Sequence, residues 1–487
     1  MFTDKKEMGQ PMKEEKQKNK RCIIYIVLIL ILLVIPFAGM SFWATDSTTE
    51  NRELAEWPSL TEDGTVNLSY LEDVGTCLED HLAFRSQMLT ANALIWGAGF
   101  RTSTTDQVIV GKGDWLYYGG TLDDYTGEDL LSDRELRAVV HNLSLMQDYV
   151  EEQGSEFVLV IAPNKNTLYN DFMPYYYSEG ETNNLENLVP LLADAGIQYV
   201  DLVEAFSAQE EVLYFHRDTH WNNAGALLVF STVMDQIGKE HETYRNVPYE
   251  IRTDHIGDID ELLYPLAAQA EDNVYYDIVR GYQYVNEVED DMDSWIETEN
   301  TDRQGVLLMY RDSFGESLLP FFADEYNMAY FSRLVPYDLC NVDDYHPDTV
   351  IVERTERKIA AFATEIPMME GPVTENLSAP ERETETTLTA EMDGSWLILR
   401  GLIDEACMGD NTDIYVAVSD SNRTQTVTYE TFYTLTNSGD GNGYWLYVKQ
   451  SSLPSDEIHV NIIVSDGSQR WIVKTEDISL EALSSDS

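Results

Sequence analysis

Residues 305–326 read GVLLMYRDSFGESLLPFFADEY, and their pattern decides the fold. GVLLMY (305–310) is a short continuous apolar run, as expected of a strand buried on both faces. SLLPFFADEY (317–326) then carries apolar side chains at helical spacing. A strand that turns sharply into a helix is the repeating unit of an α/β layer structure.

The unit recurs on both sides. FVLVIA (157–162), IQYVDL (197–202) and TVIVE (349–353) read as further strands. LENLVPLLADAG (185–196) and NAGALLVFSTVMDQIG (223–238) read as helices. Another helix opens at Ser132, where S-x-x-E spells a capping box before apolar Leu136, Val139, Val140 and Leu143. QVIVGKGDWLYYGG (107–120) reads as an aromatic hairpin. Strands alternating with helices predict a doubly wound parallel sheet spanning roughly 100–365. Ligands of such sheets bind beyond the carboxyl ends of the strands.

Outside this domain the composition changes twice. Residues 367–386, PMMEGPVTENLSAPERETET, are polar and Pro-containing, which predicts a linker at 366–385. SWLILRG, DIYVAVSD, YWLYVKQ, EIHVNIIVSD and RWIVKT follow, short alternating runs separated by turn residues. They predict a β-sandwich over 386–487, a candidate carbohydrate-binding module by analogy of size and strand count. Residues 44–110 form a polar, membrane-proximal segment with helical patches such as YLEDVGTCLEDHLAFRSQMLTANALIWG (70–97).

At the amino end, residues 22–43 form a nearly unbroken apolar run, long enough to span a bilayer. Lys13, Lys16, Lys18, Lys20 and Arg21 flank it, so residues 1–21 are expected in the cytoplasm and everything after the span outside. A cleaved signal is the competing reading, but the apolar run is too long and no A-x-A site follows. The whole chain has 31 Lys and Arg against 87 Asp and Glu. The first 21 residues hold seven and four of these, which leaves 24 against 83 beyond them. So acidic a surface excludes nucleic acid as a partner and favours a neutral or cationic glycan over a polyanion. Four cysteines (Cys22, Cys77, Cys340 and Cys407) match neither a disulfide scaffold nor a zinc ribbon.

Two segments carry chemistry. In YFHRDTHWNNAGA (214–226), Asp218 and His220 lie two apart, so both side chains share a face of an extended segment. A carboxylate there can orient one imidazole nitrogen and leave the other as a general base. Ser313 sits at the strand-to-helix turn, where a hydroxyl is exposed near a helix amino end that can stabilise an oxyanion. Nucleophile, base and orienter are thus all present. A second reading takes His216, Asp218 and His220 as metal ligands on alternate positions. Trp221 and Asn222 support it poorly, and neither metal nor other cofactor is expected. Asn164, Lys165 and Asn222 are candidate oxyanion donors by position, with capping and turn roles as the alternative. Trp115, Tyr117 and Tyr118 are candidates for a sugar platform, with a hairpin core as the alternative.

ENRELAEWP, CLEDHLAFR, IVGKGDWLYY, IAPNKNTLY, DTHWNNAGA, IGDIDELL and RDSFGESLLPFFADEY occur in the order seen in the DHHW family. Over about residues 50–365 the sequence resembles that family, which is similar to the AlgX/AlgJ-type alginate O-acetyltransferases of the SGNH hydrolases. The resemblance implies a triad of Ser313, His220 and Asp218, and O-acetylation of a polysaccharide outside the cell. It also implies a membrane-bound O-acyltransferase as acetyl supplier. His220 precedes Ser313, the permuted order of that branch. Arg311-Asp312 stands where Gly-Asp is usual, and the Gly and Asn blocks that complete the oxyanion hole have no match. The expected activity is polysaccharide O-acetyl transfer. Carbohydrate acetyl esterase is the alternative on the same residues, and a non-catalytic glycan-binding surface protein is the rival from another class.

Overall fold

A computed structural model describes residues 9–40, 42, 54–62, 65–244, 246–409, 411–435 and 441–483. The first helix, α1 (Gly9–Gly39), contains the stretch Lys20–Gly39, which is long and apolar enough to cross a membrane. The beginning of the expected cytoplasmic tail, and Ser41 and Trp43 at the end of the expected span, lie outside the described residues. Two helices follow, α2 (Tyr70–Asp80) and α3 (Arg85–Phe100). The chain between them donates from Ala83 N to Pro36 O of α1, at 3.2 Å.

The next elements are the hairpin β1 (Val108–Val110) and β2 (Leu116–Tyr118), α4 (Asp133–Glu152), β3 (Glu156–Ala162), α5 (Asn184–Ala195), β4 (Tyr199–Val200) and α6 (Asn223–Gln236). A second hairpin, β5 (Tyr249–Ile256) and β6 (Ala270–Tyr276), encloses the short α7 (Asp258–Leu263). Then come β7 (Gln283–Tyr284), β8 (Trp295–Glu299), β9 (Val306–Tyr310), α8 (Leu319–Glu325), β10 (Met328–Ser332) and β11 (Thr349–Thr355).

Seven strands form one sheet in the order β4-β3-β11-β9-β10-β8-β7. The first five are mutually parallel, whereas β8 and β7 add antiparallel at the edge, so the expected parallel sheet is a mixed one. Alternate residues of the central strands enter two different cores. Phe157, Leu159, Ile161, Leu308 and Tyr310 pack with α4 and α5. Val158, Val160, Leu307 and Met309 pack on the other face with α6 and α8. Both faces of the sheet are therefore covered, which is why its strands read as unbroken apolar runs. The capping box at Ser132 is formed, with Glu135 N donating to the serine hydroxyl and Ser132 N donating to the Glu135 carboxylate.

Among the described residues the carboxy-terminal unit packs two antiparallel sheets of five and four strands. Its interior is continuous with the α4 side of the α/β domain. Tyr433 stacks on His141 of α4 at 3.8 Å, and Asn142 exchanges hydrogen bonds with the Tyr433 backbone. The stretch 366–385 is held at its start, where Ile366 and Met369 are buried and Gly371 N donates to Tyr447 O.

Candidate active site

Ser313 lies three residues past the end of β9 and opens a 3-10 turn, Phe314–Glu316; α8 begins only at Leu319. The serine is therefore not at the mouth of a long helix, and its side chain makes no capping bond. The turn is shaped by Asp312. One of its carboxylate oxygens accepts from Phe314 N and the other from Thr355 N at the end of β11, both at 2.9 Å. Gly315 is needed here, because a Cβ would sit 2.6 Å from that of Arg311. Beneath the turn, Glu353 is fully buried and accepts from Asp312 N. Burial, then the neighbouring Asp312 carboxylate, pushes the Glu353 carboxyl well above its usual range.

The stretch 213–222 folds back on itself, with Phe215 N bonded to His220 O and Asn222 N to Leu213 O. Lys165 pins the outer limb, its ammonium donating to the carbonyls of Phe215, His216 and Asp218 at 3.2, 2.9 and 2.6 Å. Burial lowers the Lys165 pKa to about 8. Trp221 Nε1 donates to Ser317 Oγ at 2.7 Å and so ties the histidine loop to the serine turn.

These constraints bring three side chains into line. His220 Nε2 is 2.8 Å from Ser313 Oγ, and His220 Nδ1 is 2.7 Å from Asp218 Oδ1. The other carboxylate oxygen of Asp218 accepts from His255 Nε2 at 2.9 Å and from Asp258 N at 3.1 Å. Burial would raise the Asp218 pKa, but the His220 and His255 imidazoles outweigh it and hold the carboxyl well below its usual range. For His220 burial is the largest single influence and acts downward, but the Asp218 charge, the hydrogen bond to Asp218 and the Asp258 charge together outweigh it, and the balance is a raised pKa. A hydroxyl, an imidazole and an ionised carboxylate in this order can move a proton from the serine as it attacks an acyl carbon. A cleft of about 620 Å³ opens onto Ser313, His220 and His255.

A family model described as the SGNH hydrolase-like domain of the acetyltransferase AlgX matches residues 108–302. This region is an AlgX/AlgJ-like SGNH domain. The chain is also 28% identical over 218 residues to the probable alginate O-acetylase AlgJ of Pseudomonas syringae pv. tomato, a match covering 42% of this chain. The chain spans about half the length of that relative, 49%. Among solved structures, Bacillus cereus PatB1 is similar at 16% identity and a TM-score of 0.43, over 52% of this chain and 96% of that one. Pseudomonas aeruginosa AlgX is similar at 15% and 0.36, over 75% and 95%. A DHHW-family protein of Eubacterium siraeum stands at 15% and 0.37, over 46% and 85%.

Within the SGNH domain the other sequence-derived candidates disperse. Asn222 caps α6, accepting from Ala224 N and Gly225 N while its amide donates to Val212 O, so its side chain is engaged away from the serine. Lys165 is spent on the three loop carbonyls. Asn164 is 2% exposed and its side-chain amide has no hydrogen-bond partner; it shares a small cavity with Tyr118, Thr219 and Arg357. The expected aromatic platform is a core instead. Trp115 and Tyr117 are 2% and 1% exposed, Trp115 stacks on Phe172, and Tyr117 Oη donates to Tyr169 O. Tyr118 alone is partly open, beneath Arg357. The three-ligand reading also fails: His216 stacks against Trp115, and it is Asp258 that joins Asp218 and His220. His255 and Asp258 were not singled out from sequence, although IGDIDELL, one of the matched segments, begins at the residue after His255.

Proposed function

We propose that this protein is a membrane-anchored O-acetyltransferase that acts outside the cell on a polysaccharide, with Ser313 as nucleophile, His220 as base and Asp218 as orienter. The observation that carries the reading is the 2.8 Å contact of His220 Nε2 with Ser313 Oγ while Nδ1 is held by Asp218. Ser313 Oγ attacks the carbonyl carbon of an acetyl ester as its proton passes to His220. The ester C–O bond breaks, the departing alcohol takes that proton, and acetyl-Ser313 remains. A sugar hydroxyl then attacks this ester and gives its proton to His220. Collapse returns the proton to Ser313 Oγ and leaves the acetyl group on the glycan.

The kinship to AlgJ supports a polysaccharide as acceptor, and the apolar stretch Lys20–Gly39 supports an anchor with the basic end inside. A membrane-bound O-acyltransferase is the proposed acetyl supplier, because activated acetyl groups are made in the cytoplasm. Incubating the full chain in detergent with a serine-reactive phosphonate tests the nucleophile. Peptide mapping should find the label on Ser313 and lose it in His220→Ala; a folded protein that takes no label contradicts the reading.

A further inference from the structure

The cleft in front of Ser313 is acidic. Asp258, Glu261, Asp291 and Glu316 line it, and Arg280 is the one Lys or Arg among its described lining residues. That cation is already neutralised, since Arg280 pairs with Asp324 at 3.3 Å and donates to Pro320 O. Arg357 approaches His220 from another side, over the Tyr118 and Phe314 rings, and is not part of the cleft lining. Tyr275 also lines the cleft, but its ring already carries Arg252, 4.4 Å from the centroid. The four carboxylates therefore repel a polyuronate and present negative charge to a cation.

Resting on the acetyl-transfer reading above, we infer that the acceptor is an amino-sugar polymer with free amines, its ammonium groups held by Asp258, Glu261, Asp291 and Glu316 while a hydroxyl reaches His220. Carboxylate partners also stabilise the protonated amine. An ammonium has no lone pair with which to attack acetyl-Ser313, so the acetyl group goes to oxygen and an ester forms rather than an amide. Burial raises the pKa of Glu316, Asp258 and Glu261, and neighbouring carboxylates add to it at two of them, Asp218 at Asp258 and Asp258 at Glu261, a repulsion that a bound cation relieves.

The test gives the full chain in detergent an aryl acetate as donor and three acceptors of equal length: oligomers of glucosamine, of glucose and of a uronic acid. At low salt the glucosamine oligomer should gain base-labile acetyl esters with kcat/KM at least about tenfold above the glucose oligomer, and the uronate should be worst. The advantage should shrink in 1 M salt and in Glu261→Gln/Asp291→Asn, measured as the ratio between the two acceptors within each protein. If Ser313-dependent release of the aryl alcohol persists but the acceptors are used equally, the uronate is preferred, or none is used, the inference is overturned and the transfer or esterase chemistry stands. If alcohol release does not depend on Ser313, the underlying reading fails and takes the inference with it.

Discussion

His255 holds the oxygen of Asp218 that His220 leaves free, its Nε2 2.9 Å from Oδ2. Its ring stacks on Phe215 at 3.7 Å, so the hairpin β5–β6 braces the carboxylate from outside the parallel sheet. His255 is thus a positioning residue. His255→Ala removes one hydrogen bond to a charged group, an interaction worth about 1.5–3 kcal/mol, and should lower kcat by roughly ten- to a hundredfold. Purified variant and wild-type protein, compared on an aryl acetate with pH profiles, provide the check. Unchanged kcat would mean that Asp218 is held well enough by His220 and Asp258 N alone.

The raised pKa of His220 has a directional consequence. The base must be neutral to accept the Ser313 proton, and it is neutral only above its pKa, so activity falls as pH drops through that value. The acidic limb of kcat/KM should lie above the ordinary histidine value of about 6.5. Asp218→Asn removes the charge responsible for the rise. It should move the limb to lower pH and cut kcat by up to about 10⁴-fold. A limb that stays in place in that variant would show that another group sets it.

Asn222 offers a contrast between capping and catalysis. Its side chain accepts from two amides at the start of α6. Asn222→Ala should cost about 0.5–2 kcal/mol in urea unfolding and leave kcat/KM within a few-fold of wild type. A loss of several orders of magnitude in kcat with unchanged stability would restore it as an oxyanion donor.

Trp115 gives the same kind of contrast for the hairpin. Stacked on Phe172 and nearly inaccessible, it should destabilise the fold by about 3–5 kcal/mol when replaced by Ala. A sugar platform would instead show weaker glycan binding at unchanged stability in the same unfolding and binding measurements.

Much of the site could be read from the residues because the α/β rule places chemistry after strands. Ser313 follows β9, and Asp218 and His220 lie in the stretch between β4 and α6, so distant segments converge beyond the carboxyl ends of the strands. His255 gave no such signal. It lies on a largely exposed hairpin strand outside the parallel sheet, and only the tertiary contact with Asp218 marks it. The antiparallel strand β8, WIETE, was missed for a related reason: its side chains alternate between buried and half-buried, and the apolar run that marks a doubly covered strand is absent. That Lys165, Asn222 and the aromatic patch are engaged elsewhere was not legible, because position along the chain does not reveal which backbone groups a side chain must satisfy. Lys165 and Asn222 are both engaged with main-chain groups.

The most direct measurement is the acetyl-ester content of surface polysaccharide from cells that carry Ser313→Ala in place of the wild-type chain. The substitution removes one hydroxyl at a turn, where even a capping role is worth at most about 0.5–2 kcal/mol, so the protein should still fold and reach the membrane. Base-labile acetate per unit glycan should fall to the level of cells lacking the protein, with glycan amount unchanged, and His220→Ala should reproduce the fall. Ester content that stays the same in a folded, correctly placed variant would contradict catalysis at Ser313, and content that rises would contradict transfer and identify an esterase.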